Sequence, residues 1–155
     1  MIFDKIYRRL CIKKAKKICN GCNSCLTGNI LDVGSGRCHI AKEISKKTGE
    51  KVQCLDVKGP NLTDLPLKLY NDKKIPFSTN SFDTTLLCYV LHHAKNPINL
   101  LKEGIRVFKK NIIIFKDNAD NLLAKPLDFV YNKLYSVDAP LNFKNIGGWV
   151  KSLKN

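Results

Sequence analysis

The chain has 155 residues, 44% of them apolar, with 27 Lys and Arg against 13 Asp and Glu for a net charge of +14. That length and apolar content suit one globular domain, residues 1–155, and exclude a disordered chain; no apolar run nears the roughly 20 residues that span a bilayer. The opening Met1-Ile-Phe-Asp-Lys-Ile-Tyr-Arg-Arg9 lacks the continuous apolar stretch and cleavage site of a signal peptide, so a cytoplasmic, basic protein is expected.

Residues 2–18 carry two apolar series at helical spacing, Ile2, Ile6, Leu10 and Phe3, Tyr7, Cys11, Ala15, Ile18. The other face holds Arg8, Arg9, Lys13, Lys14, Lys16 and Lys17. Such a helix packs its stripe on a domain more often than it lies on a membrane, and packing is the expectation. Residues 19–28 read as a loop from their Gly, Asn and Ser content. The pattern then predicts a strand over 29–33, a helix over 38–48 and a strand over 51–56. A helix or loop between Pro60 and Pro66 precedes a short strand near 67–71. Strand 83–89, helix 97–108, strand 111–116 and helix 121–135 follow. Near-continuous apolar strands alternating with helices predict an α/β three-layer sandwich around a mostly parallel sheet.

The cysteine count, seven, is odd, and disulfides are not expected in this setting. Cys38, Cys54 and Cys88 read as small buried apolar residues. Cys19-x-x-Cys22-x-x-Cys25, with Cys11 nearby, has a spacing at which thiolates chelate zinc or an iron–sulfur cluster. A fourth ligand and a second C-x-x-C are missing, so the loop is expected to be metal-free. His92 and His93, read on an extended segment, point to opposite sides and suit a hydrogen-bonded loop better than a metal or a general base. Lysines are spread along the chain, which predicts only weak, non-specific contact with nucleic acid.

The richest stretch is Asn29-Ile-Leu-Asp-Val-Gly-Ser-Gly-Arg-Cys-His-Ile-Ala41: an apolar strand, a Gly34-Ser35-Gly36 turn, then a helical pattern. Glycines let backbone approach a ligand, and the helix start offers unpaired N–H groups. The second strand ends on Asp56, about 20 residues past the second glycine, where a carboxylate reaches ribose hydroxyls in a nucleoside-binding βαβ unit. Two nucleoside readings compete. The dinucleotide fingerprint wants Gly or Ala where this chain has His39, and Asp32 is foreign to it. An acid at Asp32 suits a cationic ligand such as an amino-acid ammonium.

Leu31-Asp-x-Gly-x-Gly36 resembles the first motif of class I S-adenosylmethionine (SAM) methyltransferases. Ile75-Pro-Phe-Ser-Thr-Asn-Ser-Phe-Asp83 is similar to the "LPF-x-x-x-S-F-D" segment of the methyltransferase domain 11 family. Thr84-Thr-Leu-Leu-Cys-Tyr-Val-Leu-His-His93 matches that family's fourth strand and "vLHH". Asn96-Pro97 with Leu100, Leu101, Glu103 and Arg106-Val-Phe108 matches its "P-x-x-L-L-x-E-x-x-R-V-L" helix, and Asn111-Ile-Ile-Ile-Phe115 its fifth strand. The resemblance covers about residues 29 to 117, the expected cofactor-binding core.

The resemblance implies a Rossmann-like sheet of order 3-2-1-4-5, SAM as cofactor, and methyl transfer to an acceptor, a small molecule by preference. The alternative is an inactive SAM-fold binding or regulatory subunit, perhaps on RNA. By the resemblance, Asp32 orders the glycine loop near the amino-acid end of SAM. Gly34, Ser35 and Gly36 give it their backbones, Asp56 accepts from both ribose hydroxyls, and Val57 packs on adenine. Asn71 or Asp72 meets the adenine amino group, and Cys88 joins the cofactor-facing set. No catalytic residue and no metal ligand is assigned. Cys38 stands where relatives carry a third glycine, which predicts a tighter pocket. Relatives close the sheet with two further strands after the segment that here reads Pro140 to Trp149, and only Val150 to Asn155 follows. The two closing strands are therefore expected to be missing, leaving the fifth strand as an edge for a partner subunit, a homodimer or cover by the helix at 121–135.

Overall fold

The computed structural model describes residues 2–115. α1 spans Ile2–Cys22 and ends in a 3₁₀ turn at Asn23–Cys25. Then come β1 (Ile30–Val33), α2 (His39–Thr48), β2 (Val52–Asp56), β3 (Leu67–Leu69), β4 (Phe82–Cys88), α3 (Pro97–Val107) and β5 (Phe108–Phe115). The strands form one sheet of order β3-β2-β1-β4-β5, and every neighbouring pair is parallel. This is the three-layer α/β arrangement the sequence predicts. Among the described residues β5 is one sheet edge; the expectations for helix 121–135 and for the closing strands fall outside the described residues.

β1 is the centre of the sheet and is buried along its whole length, which is why its sequence is a continuous apolar run broken only by Asp32. Two cores flank it. On one face Ala15 and Ile18 of α1 and Ala41 and Ile44 of α2 pack with Ile30, Cys54 and Leu86. On the other, Leu100, Leu101 and Val107 of α3 pack with Leu31, Val33, Leu55 and Leu87. A fully buried aliphatic side chain of this kind contributes about 1.5–3 kcal/mol.

Two local expectations change, at α1 and β5, and the helix-or-loop alternative between Pro60 and Pro66 is decided for the loop. α1 runs four residues further than its predicted end at 18, because Ile18, Cys19 and Cys22 prolong the stripe that starts at Cys11 and Ala15; tertiary burial overrides the Asn and Gly signals there. Of the two apolar series on that helix, only the one through Cys11, Ala15 and Ile18 is buried; Ile6 and Leu10 face out. Between Pro60 and Pro66 there is no helix. The Asn61 side chain accepts from the Thr63 N–H and hydroxyl, each at 2.8 Å, and donates to the Leu65 carbonyl at 2.5 Å, offering the backbone a turn instead. β5 starts at Phe108 rather than near 111, since Phe108 closes α3 in an extended conformation and pairs at once with Phe82.

Candidate functional site

The carboxyl ends of β1, β2 and β4 converge on the glycine turn, the place where open parallel sheets of this class bind ligands. Gly34 leaves β1 at φ 75°, and a Cβ there would run into the side chain of Val90, so the position admits no side chain. The turn is tied to β2. The Gly34 and Ser35 N–H groups donate to the Leu55 carbonyl at 2.8 and 3.2 Å. The Ser35 hydroxyl donates to the Asp32 carbonyl at 2.6 Å and accepts from the Leu55 N–H at 3.1 Å.

Asp56 locks the turn from the end of β2. One carboxylate oxygen accepts from the Gly36 N–H at 2.6 Å; the other accepts from the Val57 and Lys58 N–H groups at 2.7 and 3.2 Å. Burial nevertheless holds its pKa above the ordinary carboxylate value. Asp32 is 2% exposed, and burial, with the charge of Asp56 second, pushes its pKa up to about 7. Two acids held above their ordinary values beside a glycine turn mark a site that favours positive charge and hydrogen-bond donors.

Val57 is 51% exposed and offers an apolar surface next to Asp56. Asn71 is exposed, with its side-chain oxygen occupied by the Lys73 N–H at 3.1 Å, whereas Asp72 is half-buried, accepts from the Tyr70 hydroxyl at 3.4 Å and adds to the raised pKa of Asp56. Cys88 differs from its cofactor-facing reading: its thiol lies in the core, 5% exposed, and packs with Cys54 and Leu86. Cys38 differs too. It sits at φ 63° as the residue before α2, and its side chain is fully buried in the core. Replacing a glycine there is met by backbone strain rather than by a narrower pocket. Cys38, Asp72 and Tyr89 are three of the four non-glycine residues with positive φ among the described residues, and all three follow carboxyl ends of strands.

His92 and His93 do not lie on an extended segment. The His93 N–H donates to the Val90 carbonyl at 2.9 Å, closing a turn that brings the two rings within 4.1 Å of each other. Among the described residues, no three His, Cys, Asp or Glu side chains converge as a metal set. All seven cysteines carry free thiols.

That a leading helix covers the cofactor site is implied by the resemblance; the contacts that hold α1 over the turn are not legible in the sequence. Asp4 accepts from the Arg37 guanidinium at 2.5 Å, and Arg37 lies 5.6 Å from the Tyr7 ring. Arg37 is 9% exposed although it follows Gly36 directly, and the bond to Arg37 holds the Asp4 pKa down. Within 4 Å of where a Gly36 Cβ would sit, only the Tyr7 hydroxyl approaches, at 3.6 Å. A first side-chain atom at Gly36 would therefore sit in ordinary contact with the Tyr7 hydroxyl, between α1 and the turn. The available signal was a lone arginine in the glycine turn and a lone acid on an otherwise basic helix, 33 residues apart. A groove of about 210 Å³ also opens between α1, α2 and the segment around Thr63, lined by Arg8, His39, Lys46 and Asp64.

Three signature residues after β3, Asp83, Glu103 and Arg106, serve the opposite end of the sheet. Arg106 forms a two-point pair with Glu103 at 2.8 and 2.7 Å and donates to the carbonyls of Ile75 and Phe77; Glu103 in turn accepts from the Ile75 N–H at 2.8 Å. Asp83 accepts from the Asn29 N–H at 3.0 Å and pairs with Lys110.

The model of a methyltransferase domain family, Methyltransf_11, matches residues 31–115. Over 86 residues the chain is 30% identical to the mitochondrial arginine-hydroxylase NDUFAF5 of Danio rerio, covering 51% of this chain and 27% of that protein. The chain thus spans about a quarter of the length of this curated relative. Among solved structures, a SAM-dependent methyltransferase of Thermotoga maritima, described as a possible histamine N-methyltransferase, superposes with a TM-score of 0.64 at 18% identity over 98% of this chain and 76% of that one. A putative methyltransferase of Haloferax volcanii, in complex with the activator Trm112, superposes with a TM-score of 0.62 at 13% identity over 92% of this chain and 71% of that one. At these identities the structures establish the fold. The glycine turn with its paired acids fits SAM, the cofactor that the family match implies. With more than half of its residues inside the family model, the chain belongs to the Methyltransf_11 methyltransferase domain family.

Proposed function

We propose that the protein binds SAM at the glycine turn and transfers its methyl group to a small-molecule acceptor. The observation that carries this reading is the Asp56–Gly36 pairing: a carboxylate at the end of β2 bonded at 2.6 Å to the backbone of the turn that ends β1. Asp56 accepts the ribose hydroxyls, one at the open lone pair of the oxygen bonded to Gly36 and one in exchange for the long Lys58 N–H bond on the other, each a charge-assisted contact. Gly34, Ser35 and Gly36 present backbone to the amino-acid portion, with Asp32 as the nearby negative charge. Val57 gives the adenine an apolar face. Asp72 rather than Asn71 meets the adenine amino group, because Asp72 is the half-buried one of the pair. Cys88 backs the site from the core.

When bound, SAM supplies an electrophilic methyl group on a sulfonium. The residues here bind, orient and exclude water, which for such a displacement supplies most of the acceleration. α1, latched by Asp4 and Arg37, covers the turn from outside. A small-molecule acceptor is supported by the neighbour described as a possible histamine N-methyltransferase. Isothermal titration with SAM and with its demethylated product tests the cofactor site, and an acceptor screen follows. Binding of both in the micromolar range is expected; NAD binding tighter than SAM would overturn the assignment and restore the dinucleotide reading.

A further inference from the structure

We propose that the outward face of α1 docks the protein on an anionic lipid surface. At about 100° per residue, Arg9, Lys13, Ile6, Lys17 and Leu10 fall within an arc of about 100°, with Lys5 and Lys16 just beyond Arg9. All five cations are exposed, and no described carboxylate pairs with any of them. The helix's one acid, Asp4, is turned inward to Arg37. Ile6, 49% exposed, lies between Lys13 and Lys17 on the side opposite the buried Cys11, Ala15 and Ile18, and Leu10, 44% exposed, lies at the edge of the arc beyond Lys17. Positions dispersed along the sequence are thus gathered by the fold onto one face.

Charge alone would suit a nucleic acid equally well. The two aliphatic side chains decide between the partners. Bases and phosphates gain nothing from Ile6 and Leu10, and no described side chain on this face offers an aromatic ring for stacking. An acyl–headgroup boundary takes aliphatic side chains at shallow depth while Lys and Arg stems reach back to anionic headgroups. The same helix carries Tyr7 over Gly36 on its inner side, so docking sets the candidate site directly behind the lipid-facing helix. This inference does not depend on the methyl-transfer reading.

The test is co-sedimentation of the full chain, at physiological salt, with phosphatidylcholine vesicles and with vesicles in which about 30% of the lipid is phosphatidylserine. Binding only to the anionic vesicles is expected. Lys13→Gln with Lys17→Gln should weaken it about 25-fold, at about fivefold per cation. Ile6→Ser with Leu10→Ser should weaken it about tenfold. These positions are exposed, so circular dichroism should match the parent; if a double variant misfolds, the comparison of the two vesicle types and the single Lys13→Gln variant still decide. Equal binding to neutral vesicles, or none to anionic ones, would overturn the proposal. Indifference to Ile6→Ser with Leu10→Ser would also sink it. Binding of poly(U) in preference to vesicles would assign the face to nucleic acid instead, and self-association abolished by the Ile6 and Leu10 changes would assign it to a second copy.

Discussion

The two ends of the sheet hold their acids in opposite electrostatic states. At the carboxyl ends, burial keeps Asp32 and Asp56 above the ordinary carboxylate range. At the amino ends, the Asn29 N–H keeps Asp83 below it, and the Arg106 guanidinium does the same for Glu103. An acid whose charge is already answered by the protein holds the fold together. An acid whose charge is disfavoured stands ready for a cation or a donor from outside. The family signatures are drawn from both ends, so the motif residues divide into two groups with different jobs.

The largest effect should come from Asp56. Asp56→Ala removes the proposed ribose contacts, and two charge-assisted hydrogen bonds correspond to roughly 2–4 kcal/mol, or about 30- to 1,000-fold in SAM affinity. Folding stability should fall by less than about 1 kcal/mol, because the lost bonds to Gly36, Val57 and Lys58 are offset by release of a buried charge. Titration calorimetry and urea unfolding on the same preparation separate the two. A variant that unfolds easily yet binds SAM normally would move Asp56 into the structural group.

Glu103→Ala should show the reverse. It leaves the Arg106 guanidinium with only the Ile75 and Phe77 carbonyls and strips the Ile75 N–H of its acceptor. The pair is mostly buried, with side-chain exposures of 24% and 16%, so a loss of about 2–3 kcal/mol in urea unfolding is expected. SAM affinity of the folded protein should stay within about twofold. A large loss of affinity would mean that the two ends are coupled through α3 and β4.

The sheet and its order were legible because strands buried on both faces read as apolar runs, as Ile30 to Val33 and Thr84 to Cys88 do. The glycine turn and Asp56 were legible because sequence neighbours make the ligand-facing backbone. What escaped depended on side chains meeting across the fold. Nothing local pairs Asp4 with Arg37, and nothing in the spacing of α1 tells which of its two apolar series is buried. The turn at His92 was read as extended because it follows a strong strand, whereas Tyr89 at φ 60° breaks the strand direction. Cys88 was read as ligand-facing from its place in a motif, although its apolar character pointed to the core where its thiol lies.

The smallest effect sharpens the contrast through Asp32. Its folded pKa of about 7 lies above the ordinary value of 3.8, so the unfolded chain gives up this proton first as pH rises. The contribution to stability is therefore full below about pH 4, declines as pH rises, and is gone above about pH 7. Asp32→Asn should flatten that decline in a series of urea midpoints. A ligand that brings positive charge to the turn should pull the Asp32 pKa down and release its proton. About half the molecules carry this proton at pH 7 and about a tenth at pH 8, so SAM affinity should rise only about twofold between them. Calorimetry in two buffers of different ionisation enthalpy should then read release of about half a proton at pH 7, and none for Asp32→Asn. Because the charge of Asp56 is the second cause of the raised value, Asp56→Ala should itself lower the Asp32 pKa and shrink the release. Proton uptake on binding would place the cationic part of the ligand away from Asp32 and leave that acid with the structural group.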